Sequence, residues 1–465
     1  MPLADSLRTA PALHDADCTT PAARSCHECG QAQRLPALPA GSAARCWRCG
    51  ALLRRTWADP LRLALALNLG CLLLFAAGAT NVLAVVQAEG RTRTAGLFSG
   101  PAALAQNGVW PLGALVFATT VLAPLLVAGL SVYVLGGVRL QRPPPGLARA
   151  FAWRNRLRPW SMIEVFLVGY FVAYTKLGVL AQIEAGWGLL ALFGFMVATI
   201  AGDAVLDPQA VWEAIARHAP ARAAPAADPA PARVPIPLAD LICCGTCELA
   251  CRPAGSDAHR GPDARRGPDA RRGPDARCPR CGGALHRRKP DSLARTAALT
   301  LSALVFYVPA NVFPVLTVIQ TGRGSPSTIL SGVWELAVDG DWSLAVIVFG
   351  ASVAVPVLKI LGLGAMLLIV LRRQPGQPHR PGRQHSHRDR YLRQATALYR
   401  VIAVIGRWSM IDVFMESILS ALVQFGSVAQ VTTEPGALAF AATVLLTIFA
   451  AEGFDPRLMW DAPSR

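Results

Sequence analysis

Trp160-Ser161-Met162-Ile163-Glu164-Val165-Phe166 returns 248 positions later as Trp408-Ser409-Met410-Ile411-Asp412-Val413-Phe414, with only Glu exchanged for Asp. The same offset carries Asp207-Pro208 onto Asp455-Pro456 and Trp212 onto Trp460. Nearer the start of each half an offset of 232 aligns Trp110 with Trp342 and Pro124 with Pro356. One register held over about fifty residues marks a tandem duplication, so every further reading has two copies to be tested in.

The repeat is set in an apolar chain. Its 465 residues are 53% hydrophobic and 16% charged, with a mean hydropathy of +0.38. Such a composition implies several membrane spans. The formal net charge of +16 is explained by cytoplasmic loops, which collect Lys and Arg, so no nucleic-acid partner is expected. Residues 1–25 are polar, contain acids and lack an apolar signal core, so a disordered, cytoplasmic N-terminus is expected.

Continuous apolar runs mark four spans per half: 61–86, 111–138, 162–183 and 187–206, then 293–319, 342–371, 410–429 and 436–453. The loops at 139–158 and 372–407 are dense in Arg, whereas 87–109, 184–186 and 320–341 are not. The positive-inside rule then places both chain ends in the cytoplasm. The expected fold is an all-α polytopic membrane protein, duplicated as two four-helix transmembrane halves. A small cytoplasmic zinc ribbon precedes each half.

The ribbons are read from cysteine spacing. Cys26-His27-Glu28-Cys29 precedes Cys46-Trp47-Arg48-Cys49, and Cys244-Gly245-Thr246-Cys247 precedes Cys278-Pro279-Arg280-Cys281. Two CxxC knuckles suit a tetrahedral four-thiolate Zn²⁺ site, two structural sites in all, and metal supplies folding free energy that so small a core lacks. A thioredoxin-like redox pair is the alternative. In the second ribbon three hexapeptides of the RRGPDA type widen the gap, and Cys243 and Cys251 are spare thiols. The domains expected are a disordered lead over 1–25, ribbon 1 over 26–56 and a membrane half over 57–217. An Ala/Pro linker over 218–237, ribbon 2 over 238–290 and a second membrane half over 291–465 follow.

Polar residues inside spans are the candidates for chemistry, because a central charge costs at least ~2.5 kcal/mol on insertion scales. Lys359 lies mid-span opposite Val127, Lys176 lies towards the outer end of its span, and Glu416 follows Asp412 by one turn. A proton-responsive cavity or relay and a structural polar contact are both open for the two lysines. Asn81 and Asn311 sit late in the first span of each half, Asn311 between Pro309 and Pro314, which suggests a kinked or broken helix. Ser161 with Glu164, and Ser409 with Asp412, match a helix-capping pattern better than a catalytic one. The two Asp-Pro pairs read as helix ends. No nucleotide-binding loop, Ser-His-Asp set or haem motif is present, and no enzymatic activity is expected.

Together the paired CxxC units, Ala310-Asn311-x-x-Pro314, the Trp-Ser-Met-Ile-Glu/Asp-Val-Phe pair and the Asp-Pro plus Trp closing each half resemble the paraquat-inducible protein A family of bacterial inner-membrane proteins. The resemblance implies a lipid-transport subunit of the inner membrane. It would hand phospholipids to or from a periplasmic MCE-domain protein and support envelope integrity. It implies Cys26, Cys29, Cys46, Cys49, Cys244, Cys247, Cys278 and Cys281 as the metal ligands. The alternatives are a thiol- or zinc-based stress sensor and a self-contained proton-coupled transporter.

Overall fold

The computed structural model describes residues 23–35, 38–88, 91–178, 182–218, 242–251, 277–278, 280–320, 323–372, 384–423 and 429–461. The lead before residue 23, the tether from 219 and the RRGPDA array fall outside them.

In chain order, β1 (Ala23–Ser25), β2 (Ala32–Arg34), β3 (Ala43–Arg45) and β4 (Leu52–Arg55) make two small hairpins. Helix α1 (Pro60–Thr80) opens with Pro at its first position, where a missing N–H costs nothing. Strands β5 (Ala84–Ala88) and β6 (Arg91–Ala95) and helix α2 (Ser99–Gln106) follow. Helix α3 (Trp110–Phe117) passes through one π turn (Ala118–Leu122) into α4 (Ala123–Gly137). Then come α5 (Leu147–Leu157), α6 (Ile163–Gly178), β7 (Gln182–Ala185), α7 (Trp187–Val205) and α8 (Pro208–His218). The second half opens with β8 (Ile242–Cys243) and β9 (Ala250–Cys251), and repeats the order. Its elements are α9 (Ser292–Val312), β10 (Leu316–Gln320), β11 (Arg323–Ser327), α10 (Ile329–Val338), α11 (Trp342–Phe349), a π turn (Gly350–Ala354) and α12 (Val355–Leu371). The last are α13 (Gln384–Ile405), α14 (Ile411–Leu422), β12 (Ala429–Thr433) and α15 (Pro435–Gly453).

Among the described residues six helices are long and apolar enough to cross a membrane: Pro60–Thr80, Trp110–Gly137, Trp187–Val205, Ser292–Val312, Ala345–Leu371 and Pro435–Gly453. The runs expected as third and seventh spans are shorter as helices. α6 has 16 residues and α14 has 12, or about 24 and 18 Å at helical rise, against a hydrocarbon layer of about 30 Å. The reason is common to both. Four of the eight apolar runs continue past the helix end into a strand, β5, β7, β10 or β12, and hydropathy does not distinguish the two conformations.

Those strands form two three-stranded sheets, ordered β6-β5-β7 and β11-β10-β12, all pairs antiparallel. Each central strand pairs with the neighbour that follows it and with the strand that precedes the last helix of its half.

The π turns have a sequence cause. Pro124 and Pro356 cannot donate to the preceding turn, and Thr120 and Ser352, counterparts at offset 232, each return a hydroxyl to the carbonyl four residues back at 2.8 and 2.6 Å. In a π turn each carbonyl waits for the N–H five residues on, so Thr119 is left facing Pro124. Met162 N–H, from the repeated motif, donates to the Thr119 carbonyl at 3.2 Å.

Two compact units emerge. One holds residues 59–206 and 291–465. In it α1 packs along α7 and α9 along α15, with glycine letting backbones approach. A Cβ on Gly78 would stand 2.6 Å from Leu192, and one on Gly436 would stand 2.4 Å from the Pro314 carbonyl. Helices α6 and α14 lie against each other, Phe166 edge-on to Phe414 with ring centres 6.0 Å apart. Almost every residue of α14 is buried. The other unit holds residues 1–58 and 207–290. It groups α8 with the ribbons, whereas the sequence reading assigned residues to 217 to the first membrane half. The cause is ionic: Arg54 reaches Asp207 at 2.9 Å and Glu213 at 3.4 Å.

Candidate functional site

Each ribbon folds its four cysteines to one point. Cys26, Cys29, Cys46 and Cys49 form one cluster and Cys244, Cys247, Cys278 and Cys281 the other, with all ligand atoms of a cluster within 4.8 Å of one another. The closest sulfur pairs are Cys26–Cys49 at 3.5 Å and Cys29–Cys46 at 3.6 Å, then Cys244–Cys281 at 3.5 Å and Cys247–Cys278 at 3.4 Å. A disulfide needs about 2.05 Å. A tetrahedral ion with bonds of about 2.3 Å to sulfur sets its ligands about 3.8 Å apart, close to these separations. The donor set therefore fits a metal ion. Cys243 lies in β8, outside the second cluster.

The knuckles are built by one backbone device. The first Cys of each pair accepts at its carbonyl from the N–H four residues on: Gly30, Gly50, Glu248 and Gly282, at 2.8–3.0 Å. All four acceptor turns need a left-handed residue, with φ of 73°, 76°, 56° and 72°. Three are glycine, which takes it freely, and Glu248 bears a cost of about 1–2 kcal/mol. Its carboxylate offsets that cost by holding Gln209 at 2.7 Å and Arg24 of the first ribbon at 3.5 Å. Crowding also splits the thiols. Hydrogen bonds from Cys26 and Cys29 pull Cys49 down to about 2, whereas hydrogen bonding with Cys26 and then Cys49 pushes Cys29 far up. All four sulfurs can be anionic at this spacing only with a cation among them.

In the membrane unit the two halves treat buried charge differently. Asp203 of α7 binds both Arg154 of α5 and Arg158, and Arg158 reaches Glu164 at 3.3 Å. Arg154 also donates to Ser131 at 3.2 Å. At the duplicated positions Arg158 is replaced by Gly406 and Asp203 by Ala451. The cation comes instead from α12. Lys359, 1% exposed, donates to the Gly406 carbonyl and to Ser409 Oγ, each at 3.1 Å.

Ser409 itself donates to the Gly406 carbonyl at 2.9 Å. It lies in the 3₁₀ turn Gly406–Met410, and α14 starts after it with Met410 as N-cap and no side-chain capping bond. Ser161 Oγ is buried without a hydrogen-bond partner among the described residues. The capping expected of Ser161 and Ser409 is thus not made: in the second half the 3₁₀ turn runs directly into α14, and in the first Ser161 is extended and stands two residues before α6. Glu164 accepts from Arg158, and Asp412 is buried. Capping is made instead by the Asp-Pro pairs: Asp207 accepts from Gln209 N–H at 3.0 Å and Asp455 from Arg457 N–H at 3.1 Å. They start helical turns as well as closing the span before them.

Along α14 the polar set continues from Ser409 and Asp412 to the buried Glu416 and to Ser420, 3.3 Å from Thr433 of β12. The corresponding positions of α6 after Glu164 are Val168 and Val172. Asn81 and Asn311 each turn the side-chain amide back to the carbonyl four residues earlier, Ala77 and Tyr307, both at 2.8 Å. α9 runs unbroken through Pro309 to Val312, so both asparagines close a helix rather than mark a break. The side chain of Lys176 lies outside the described residues. Gly406, which makes the room for Lys359, went unnoticed in the sequence; its signal was the unlike pair Arg158 and Gly406 beside an otherwise constant motif.

The family model for Paraquat-inducible protein A matches residues 61–216 and 293–463. Intermembrane transport protein PqiA of Escherichia coli K12 is 29% identical over 94% of this chain and 95% of its own. Lipophilic envelope-spanning tunnel protein A of the same organism is 30% identical over 94% of this chain and 91% of its own. A probable intermembrane transport protein of Haemophilus influenzae is 31% identical over 39% of this chain and 41% of its own. No solved structure matches.

Proposed function

The chain belongs to the paraquat-inducible protein A family, and from that membership we propose that it is the inner-membrane subunit of an intermembrane lipid transport system. It loads or accepts phospholipid for a periplasmic MCE-domain partner, and it is not an enzyme. Full-length likeness to proteins named for intermembrane transport is the observation that carries the reading. The fold supports it: among the described residues, six long apolar helices, two shorter ones packed against each other, and a small sheet in each half.

In the proposed topology four helical segments per half leave both chain ends and both ribbons in the cytoplasm, as the Arg-rich loops require, and both sheets on the outer side, where the partner docks. The two cysteine clusters hold Zn²⁺, whose four-thiolate chemistry supplies rigidity and no reaction. The residues of this chain do the rest. The knuckle backbones orient the sulfurs, Glu248 ties the ribbons, and the Arg154–Asp203–Arg158–Glu164 and Lys359–Ser409 sets fix the helices around α6 and α14.

The test is purification with the MCE-domain partner from membranes. The pair is expected to stay associated and to crosslink to phospholipid through a photoreactive lipid; a pair that does neither overturns the reading. A second reading, coupling to protons, is favoured by the buried polar groups Lys359 of α12 and Asp412 and Glu416 of α14. It requires transport in liposomes by this chain alone to collapse in Lys359→Ala.

A further inference from the structure

Of the left-handed residues that close the four knuckles, three are Gly30, Gly50 and Gly282, and the other is Glu248. Each follows the second cysteine of its pair, and the turn itself asks only for a positive φ. An added Cβ would meet nothing within 4 Å at Gly50 or Gly282, so backbone preference alone keeps side chains out of these places. The second ribbon accepts the strain at one of them. Strain retained in a fold points to a use for the side chain that bears it.

The carboxylate of Glu248 is where both ribbons and α8 meet. Its Oε2 accepts a hydrogen bond from Gln209 Nε2 at 2.7 Å and stands 3.5 Å from Arg24 Nη1. Arg24 lies in β1 of the first ribbon, two residues before the cluster cysteine Cys26, and is 7% exposed. Among the described residues Glu248 is the carboxylate that Arg24 reaches; Arg54 of the same ribbon is held instead by Asp207 and Glu213. Asp207 and Gln209 stand together at the start of α8. The contacts therefore close a ring, from β1 to Glu248, from Glu248 to α8, and from α8 through Arg54 back to β4. At the matching place of the second half Gln209 is replaced by Arg457, which turns back to Asp455 at 3.6 Å.

The ring hangs on its strained link. Glu248 keeps a φ of 56° while its N–H donates to the Cys244 carbonyl at 3.0 Å, in the turn that presents Cys244 and Cys247. Once those sulfurs are committed to an ion the turn is fixed. With the sulfurs released, a residue other than glycine leaves the left-handed region, and its carboxylate leaves Arg24 and Gln209. A buried guanidinium deprived of its counter-charge weakens the strand that carries it. We propose that Glu248 couples the two metal sites: with metal bound in the second ribbon it is held against Arg24, and the first ribbon then binds its own metal more tightly. The coupling rests on the reading of both clusters as metal sites and is independent of what the membrane helices carry.

The test equilibrates the full chain in detergent with buffers of graded free Zn²⁺ and pulses it with N-ethylmaleimide. Mass spectrometry of the cysteine peptides gives a separate loading midpoint for each ribbon. Cys278→Ser, which disables the second site, is expected to raise the midpoint of the first ribbon about tenfold, within the range usual for coupled sites. Glu248→Gly is expected to raise it by a similar factor. The second ribbon's own midpoint should then stay nearly where it is, because glycine's relief of the turn offsets the lost tie. Combined, the two substitutions should do no more to the first ribbon than either alone. A first-ribbon midpoint that ignores Glu248→Gly overturns the coupling, as does a second-ribbon midpoint that rises as far as the first, the sign of a general loss of stability. Should Glu248→Gly fail to fold, Cys278→Ser decides alone: an unmoved first ribbon overturns the coupling and leaves two independent metal sites. A parent chain whose thiols Zn²⁺ never protects removes the metal reading and the coupling together.

Discussion

The first membrane half fixes its buried charge with two arginines around Asp203; the second half does so with one lysine that arrives from another helix. Arg158 and Lys359 are not aligned in sequence, since Arg158 corresponds to Gly406 and Lys359 to Val127. Yet Lys359 Nζ reaches the backbone of the residue that took the place of Arg158. A cation beside the Trp-Ser-Met-Ile motif has been kept while its source has moved. The difference teaches that the motif needs a positive neighbour more than it needs a particular residue. It also shows that a duplicated chain can redistribute one function over two positions.

The comparison can be broken most severely at the ribbons, which precede both halves. Cys46→Ser and Cys278→Ser are each expected to lower the metal content of the purified chain from about two equivalents to about one, measured by plasma mass spectrometry. Structural zinc sites contribute ~10 kcal/mol or more, so melting of the affected ribbon should follow. Acidification should release the metal as well. Hydrogen bonds from its neighbours hold the Cys49 thiol low, but Cys29 is pushed up, and ligands must lose their protons to bind. Metal affinity is therefore expected to fall as pH falls.

Next in size is Lys359→Met, which leaves the Gly406 carbonyl without its charged donor and should cost roughly 2–4 kcal/mol, seen as a lower melting temperature in detergent. The decisive variant is Lys359→Val with Gly406→Arg, which copies the first half. Recovery of most of the loss supports transposition, whereas additive damage breaks it. Asp203→Ala should cost about 2–4 kcal/mol by leaving the buried Arg154 without a carboxylate and Arg158 with Glu164 alone, with no comparable penalty for changing Ala451 to Gly. The smallest contrast is Gly100→Ala against Gly332→Ala, at matching places of α2 and α10. The first should destabilise by about 1–3 kcal/mol through the clash of an added Cβ with Ser417; the second should be neutral or stabilise by up to ~1 kcal/mol through helix propensity.

Much of this was legible in the sequence because the chain states it twice. The repeats at offsets 248 and 232 aligned the helices and the π-turn prolines of the two halves. The cysteine spacing chose the two clusters correctly, Cys244 over Cys243 included. What stayed hidden has physical reasons. Val85 and Val86 suit a strand or a span equally, so the strands were absorbed into helices. α2 and α10 were read as polar connections because Ser, Gly, Asn and Asp at their borders mask two short, largely apolar helices of eight and ten residues. The partner of Lys359 is a backbone carbonyl on another helix, and no pattern along one helix could indicate it.

The sheets carry a consequence in time. β5 acquires β6 within a few residues of synthesis, but its other edge stays unpaired until β7 is made, after helices α2 to α6. For β10 the wait extends from residue 320 to residue 429. At synthesis rates of about 5–20 residues per second, that is on the order of five to twenty seconds during which an apolar strand edge is bare. Each half is thus latched by nearly the last thing the ribosome delivers to it. A chaperone or insertase that shields strand edges would act on the nascent chain in that interval and have nothing left to grip once the latch has closed.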